Sequence, residues 1–370
     1  MKTVCGGWQN YYISGTRVET NNTNDMTLQA HFEIPGAPTP VVVATFSGVS
    51  SVLLTAGKDL QLCDEIPASA FGLTEIPAGT DVYCVSEVTV ATVGQNFIRT
   101  ISSSGQNAES GSDEGGWFGP TTATAVGTGG ALTVPGGGSS TSTLYFPSCV
   151  LGRFKTPQPS AILFGSSLVT GQADNPGYGG NGGGFYPRGL YNVGSGRAIG
   201  WARQAYGGTA AHQAVGNTTK QAKVWAYATH FICELGSNDG SQSRTPAQTM
   251  TAYRSIWAAA KAAGVTHVTQ QLCANRCPTS TDGWATPANM TPLAGFETGG
   301  SYKDPLNTLL LAEVGTNGLD ALLDIAPNWA DATLTDRIIG GRTGDGVHPN
   351  PTGHAAIAPS LATAAASWTV

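Results

Sequence analysis

The sequence predicts two domains of different class: an all-β, sandwich-like domain over residues 1–150, then an α/β domain with a parallel sheet over residues 151–370. Three observations carry this. Short apolar runs with period-2 alternation fill the first hundred residues. From about residue 158, strand-like runs alternate with helix-like ones, which implies a parallel sheet with helices on both faces. The third is size and composition. A chain of 370 residues is long for one domain, and 50 glycines with only 11% charged residues suit a β- and loop-rich protein.

In the first region, Thr80–Val90 places Val82, Cys84, Ser86, Val88 and Val90 on one side and Tyr83, Val85, Glu87 and Thr89 on the other. Further short runs are Thr27–Ile34, Val41–Phe46, Ser51–Thr55 and Phe97–Ile101, separated by turn signals such as Pro35-Gly36, Ala56-Gly57 and Pro77-Ala78-Gly79. Strands at this spacing suggest a β-sandwich. Residues 102–144 are rich in Gly, Ser and Thr and read as loop or linker, with room for one or two strands in Thr121–Val134. In the second region, Ala161–Phe164, Val224–Leu235 and His267–Cys273 read as strands. Ala247–Ala263 carries Met250, Tyr253, Ile256, Trp257 and Ala260 at helical spacing, and Leu306–Val314 and His354–Ala366 also read as helices.

Composition excludes some function classes. The net charge is -6 and no Lys/Arg cluster occurs, whereas a nucleic-acid partner needs a basic face. No run of about 18 apolar residues is present, so no membrane-spanning helix is expected. The N-terminal residues Met1–Tyr12 lack the apolar core of a signal peptide. A soluble chain is expected, with an extracellular or virion-associated setting left open. The odd count of seven cysteines argues against a fully paired framework, although Cys273 and Cys277 are close enough to bridge. No Cys/His spacing suggests zinc, and no metal or other cofactor is expected.

Four segments carry chemistry. Ala161–Phe164 runs into Gly165-Ser166-Ser167-Leu168, and a strand ending in a Gly-flanked turn is how α/β enzymes expose a nucleophilic serine. Tyr206-Gly207-Gly208-Thr209 follows a second strand, where glycine lets a backbone N–H approach a substrate oxygen. Glu234-Leu235-Gly236-Ser237-Asn238-Asp239 ends the most apolar strand, and Asn238 can donate its amide to an oxyanion. Asp345-Gly346-Val347-His348 gives a histidine a carboxylate one turn away to fix its tautomer. Among the six histidines, His348 alone reads this way. His354 falls in the following helix and reads as structural, and His31, His212, His230 and His267 lack a comparable setting.

In this order the segments resemble the blocks of the SGNH hydrolase superfamily, the GDSL-type esterases and lipases, over residues 160–370. Gly165-Ser166-Ser167-Leu168 resembles its Gly-Asp-Ser-Leu block, and Gly207-Gly208-Thr209 its second block. Gly236-Ser237-Asn238-Asp239 matches Gly-x-Asn-Asp, and Asp345 to His348 matches Asp-x-x-His. One departure stands out: Ser166 replaces the family's Asp, which leaves Ser166 as a second candidate hydroxyl.

The resemblance implies a three-layer α/β/α domain and a cofactor-free acyl-enzyme mechanism. Ser167 would be the nucleophile, His348 the base and Asp345 its partner. Ser167, Gly207 and Asn238 would form the oxyanion hole. It further implies an ester substrate, small or polysaccharide; with the preceding β-domain, a carbohydrate carrying acetyl or other short acyl groups is expected. The segment Asn175–Gly184, with Tyr178, is a candidate lining for the site. The competing reading is a carbohydrate-binding or structural appendage protein with a degenerate esterase domain, which Ser166 and the low charge would fit. The acyl length, the alcohol portion and the oligomeric state are not legible in the sequence.

Overall fold

The computed structural model describes residues 1–98, 116–119, 126–130, 139–141, 145, 147–174, 183–194 and 197–370. They form two compact units. One holds residues 1–14 and the described parts of 19–158, the other residues 15–18 and the described parts of 159–370.

Among the described residues the first unit contains two four-stranded antiparallel sheets, besides the two-stranded pairs Tyr11–Ile13 with Glu19–Asn21 and Gly116–Phe118 with Ser139–Thr141. Thr3–Trp8 pairs with Cys149–Arg153, Gln61–Leu62 and Ile66–Pro67. Met26–Glu33 pairs with Val41–Val43, Val52–Leu54 and Tyr83–Thr89. Alternation drives the second sheet: Met26, Leu28, Ala30 and Phe32 are all buried, at every second position. The predicted apolar face of Val82, Cys84, Val88 and Val90 packs on this same core, together with Val4, Cys5 and Trp8 of the other sheet. Trp8 ties the two sheets. Its ring meets Phe46 edge-on at 5.8 Å and its Nε1 donates to Ser86 Oγ at 2.8 Å.

One expectation here is corrected. The strand expected over Val41–Phe46 ends at Val43, because Phe46 turns inward and forms an isolated bridge with Val49. Of the run Phe97–Ile101, only residues 97 and 98 are described and they form no strand. Thr121–Val134 lies outside the described residues except 126–130, which form a turn followed by a bend.

The second unit is an α/β domain around one parallel sheet. Its strands are β1 (Ser160–Gly165), β2 (Gly200–Ala205), β3 (His230–Cys233), β4 (His267–Gln271) and β5 (Ala321–Leu323), in the order β2-β1-β3-β4-β5. All four pairings are parallel. The helices are α1 (Ser167–Thr170), α2 (Phe185–Tyr191), α3 (Ala211–Ala214), α4 (Ala222–Trp225), α5 (Ser237–Ser241), α6 (Pro246–Ala262), α7 (Lys303–Glu313), α8 (Ala326–Trp329) and α9 (Pro351–Ala365).

Both sheet faces are covered, so β1 and β3 carry the continuous apolar runs Ala161–Phe164 and Phe231–Cys233 instead of alternating, whereas β2 and β4 include polar residues such as Arg203, Gln204, Gln270 and Gln271. On one face Ala161 and Leu163 of β1 pack with Phe185 and Leu190 of α2, Trp329 of α8, and Ile357 and Leu361 of α9. On the other, Phe164 of β1 meets Trp225 of α4 at 5.3 Å and Phe231 of β3 at 5.4 Å. Helix α6 starts cleanly because Thr245 and Gln248 form a capping box and Pro246 occupies the first turn.

The single strand expected over Val224–Leu235 is corrected. Its first residues belong to α4 and only His230–Cys233 is strand. A continuous apolar run has no period to separate a buried helix end from a buried strand. Here turn bonds from Tyr227 N–H to Val224 O and from Ala228 N–H to Trp225 O break it in two.

Candidate active site

The candidate residues converge at the carboxyl ends of β1, β2 and β3, where open α/β sheets bind ligands. Strand β1 ends at Gly165, and the chain turns through Ser166 (φ −113°, ψ −144°) into the single turn of α1, which Gly171 closes at φ 74°. That turn begins with Ser167. Gly165 has to be glycine, since a Cβ there would stand 2.7 Å from Glu234 Oε2 and 2.5 Å from a Val169 methyl carbon.

His348 reaches this turn from the loop before α9. Its Nε2 lies 2.8 Å from Ser167 Oγ and its Nδ1 lies 2.6 Å from Asp345 Oδ2. A carboxylate only accepts, so Nδ1 carries the proton and Nε2 is left to accept from the serine hydroxyl. Asp345 is itself held: its Oδ1 accepts from the N–H groups of Val347 and His348, both at 2.8 Å. Burial alone would raise the Asp345 carboxyl. The bonds from His348 and Val347 outweigh it and hold the group well below the usual carboxylate range. The turn is pinned to the loop after β4 by Cys277 N–H donating to Gly346 O at 2.7 Å. A Cβ on Gly346, at φ 70°, would fall 1.7 Å from Cys277 O, so only glycine allows this approach.

The second block sits beside the first. A Cβ on Gly207 would stand 4.0 Å from Ser167 Cβ, in ordinary contact. The segment Tyr206–Thr209 is a turn closed by Thr209 N–H and Oγ1 donating to Tyr206 O, at 3.2 and 2.7 Å. The third block joins it through Asn238 Nδ2, which donates to Thr209 O at 3.0 Å. Gly236 adopts φ 123°, and a Cβ there would collide with Tyr253 Oη at 1.8 Å. Asp239 is fully buried and clamps the start of α3, accepting from Ala211 N–H at 2.6 Å and His212 N–H at 3.2 Å.

Two residues were given no role from sequence and prove central to the packing of this site. Glu234, the last residue before Leu235-Gly236, is buried under the Ser166 turn, and its Oε2 accepts from Ser166 N–H at 2.6 Å and Ser166 Oγ at 2.8 Å. Burial pushes its carboxyl up to about 7, against the pull of the Ser166 donors and Arg276. Ser166 therefore turns its hydroxyl toward Glu234, whereas Ser167 turns its own toward His348. Arg276, in the loop after β4, donates from Nη1 to Asn238 Oδ1 at 3.1 Å and to Ser237 O at 3.0 Å. The available signal for Glu234 was a lone carboxylate ending an otherwise apolar run, which demands buried partners. Arg276 had no such signal.

The histidine reading needs one correction. His31 and His212 are also paired with carboxylates, His31 Nε2 with Glu33 at 2.8 Å and His212 Nδ1 with Asp239 at 3.1 Å. Neither pairing is visible as a motif, since Glu33 follows His31 along one strand and Asp239 comes from another block. His354 is structural as expected. It is buried, with Nδ1 accepting from Phe185 N–H at 3.1 Å and Nε2 facing Gln172 O at 3.1 Å. Cys273 and Cys277 are free thiols. Of the lining segment Asn175–Gly184, residues 175–182, including Tyr178, lie outside the described residues. Among the described residues no cluster of His, Cys, Asp and Glu could hold a metal ion, and no helix is long and apolar enough to cross a membrane.

No family model matches the chain, and no curated protein sequence does. Solved structures do. A member of the lipolytic protein G-D-S-L family from Veillonella parvula matches at 15% identity and TM-score 0.38, covering 57% of this chain and 100% of its own. A variant of Axe2, an acetyl-xylooligosaccharide esterase from Geobacillus Stearmophilus, matches at 13% identity and TM-score 0.42, covering 57% of this chain and 95% of its own. A Bacillus subtilis protein matches at 13% identity and TM-score 0.38, covering 98% of this chain and 87% of its own.

Proposed function

We propose that this chain is a serine ester hydrolase working through an acyl-enzyme. The observation that supports it most is the continuous hydrogen-bond chain from Asp345 through His348 to Ser167 Oγ, at 2.6 and 2.8 Å. In this reading His348 Nε2 takes the Ser167 proton as Oγ attacks the ester carbonyl, and Asp345 steadies the imidazolium that results. The negative oxygen that develops is met by the backbone N–H groups of Ser167 and Gly207 and by Asn238 Nδ2. His348 returns the proton to the leaving alcohol, then activates the water that hydrolyses the acyl-enzyme. No step requires a cofactor.

Within that class we propose a short acyl group, acetyl above all, carried by a carbohydrate. One feature supports it. A separate antiparallel β unit precedes the α/β unit, as in enzymes that hold a polymeric substrate through an accessory domain. The test is a panel of p-nitrophenyl esters from acetyl to decanoyl with acetylated xylo- and amino-sugars, run beside an organophosphonate probe. Rates highest for acetyl and stoichiometric labelling of Ser167 are expected. Absence of both labelling and turnover would leave the degenerate-appendage reading standing.

A further inference from the structure

We propose that Arg276 is a positioning residue for Asn238, fixing which end of its amide faces the reacting carbonyl; this rests on the ester-hydrolase reading above. An Asn amide has an accepting oxygen and a donating nitrogen of nearly the same shape. Only the Nδ2 end can stabilise an oxyanion, and a flipped amide would present a repelling oxygen. Something must therefore hold the oxygen end back.

Arg276 does this by chemistry alone. A guanidinium only donates, so the atom of Asn238 it meets at 3.1 Å has to be Oδ1. The same Nη1 also donates to Ser237 O at 3.0 Å, which ties the guanidinium to the backbone of the turn that carries Asn238. At the other end, Nδ2 gives one hydrogen to Thr209 O at 3.0 Å. Its second hydrogen remains for a substrate oxygen. Both ends of the amide are thus committed in one orientation.

The arginine is itself held firmly. On one side of it Asn275 Nδ2 donates to Thr335 O at 2.9 Å and Arg337 O at 2.8 Å, while Lys303 Nζ donates to Asn275 Oδ1 at 2.8 Å. On the other side Cys277 N–H donates to Gly346 O at 2.7 Å, in the turn that carries His348. Arg276 forms no ion pair within 4.0 Å among the described residues, and its Nε is buried without a hydrogen-bond partner there. The guanidinium is therefore directed at the Ser237–Asn238 turn and not at a carboxylate. Burial lowers its pKa, with Cys273, Glu234 and Asp345 acting the other way.

The experiment is a double-mutant cycle on the full chain. Arg276→Met and Arg276→Lys are made in the parent and in Asn238→Ala, and kcat, KM and Tm are measured with p-nitrophenyl acetate. Loss of one oxyanion donor lowers kcat by about 10²–10³, so loss of its orientation should lower kcat by roughly 10- to 100-fold with KM nearly unchanged. Arg276→Lys should recover part of this. In Asn238→Ala, Arg276→Met should cost less than about twofold more, because the group it orients is gone. Equal losses in both backgrounds, or a KM effect with normal kcat, would overturn the proposal. Arg276→Gln serves if Arg276→Met does not fold, with the same non-additivity expected. If the parent hydrolyses no ester, the function proposed above fails separately. The positioning is then read from the Asn238 side-chain amide signals in a 15N spectrum. Slow water exchange in the parent and fast exchange in the Arg276 variant support it, and identical exchange refutes it.

Discussion

Glu234 Oε2 accepts hydrogen bonds from both the backbone N–H and the hydroxyl of Ser166, at 2.6 and 2.8 Å. The Gly-Asp-Ser-Leu block that Gly165-Ser166-Ser167-Leu168 resembles carries its carboxylate on the residue before the serine. In this chain that residue is Ser166, and the carboxylate it meets belongs to Glu234, just past the end of the neighbouring strand β3.

A pH dependence of stability follows. The Glu234 carboxyl is raised from 4.5 to about 7 by burial, so between these values the folded state binds more protons than the unfolded chain. The contribution of this group therefore falls as pH rises from about 4.5 to 7 and is constant above, by about 3 kcal/mol at most. Glu234→Gln keeps an acceptor for Ser166 and removes the charge. Urea unfolding at several pH values should show the variant gaining on the parent across that window. A constant difference from pH 4.5 to 8 would refute the assignment.

His354 works in the opposite direction. Burial lowers its pKa from 6.5 to about 4, and its Nδ1 is already engaged as an acceptor from Phe185 N–H. Below about pH 6.5 the unfolded chain takes up a proton that the folded chain refuses, so stability falls as pH drops toward 4. His354→Gln should be less stable at neutral pH and should lack this part of the acid-side loss. The same unfolding series reports both effects.

The two adjacent serines separate cleanly. Ser167→Ala should lower ester hydrolysis by roughly four to six orders of magnitude, as loss of a nucleophile does. Ser166→Ala removes only one of two donors to Glu234 and should retain most of the rate, with a Tm loss of a few degrees. A dead Ser166→Ala with an active Ser167→Ala would transfer the nucleophile to Ser166.

Rate against pH tests His348. An imidazole accepts the Ser167 proton only when neutral, while Asp345 is ionised across the neutral range. The kcat/KM profile should rise through one ionisation and then level off. Asp345→Asn keeps the size of the side chain but can select the wrong tautomer, lowering kcat by up to about 10⁴. A parent profile flat from about pH 5 to 9, or a His348→Ala variant near parent activity, would remove His348 as the base.

The sequence by itself determined the class of each half and the residues proposed for the chemistry. Period-2 alternation marks the β unit where one face of a strand is less buried than the other, as over Met26–Ala30, and the strand–helix alternation marks the parallel sheet. Ser167, Asn238, Asp345 and His348 were legible because their short blocks, each weak alone, occur together in the order of the family blocks they resemble. Tertiary structure decided what the blocks do to one another. The bond between Ser167 Oγ and His348 Nε2 joins residues 181 positions apart, and nothing local specifies it. Glu234 and Arg276 are invisible as motifs because their partners, Ser166 and Asn238, come from other strand ends. The same holds for the split of Val224–Leu235 into helix and strand, where Trp225 is placed by packing on Phe164 and Phe231 and not by any local period. Local propensity acts within a turn or two, whereas burial of a charge or an aromatic ring is settled by whichever distant surface closes over it.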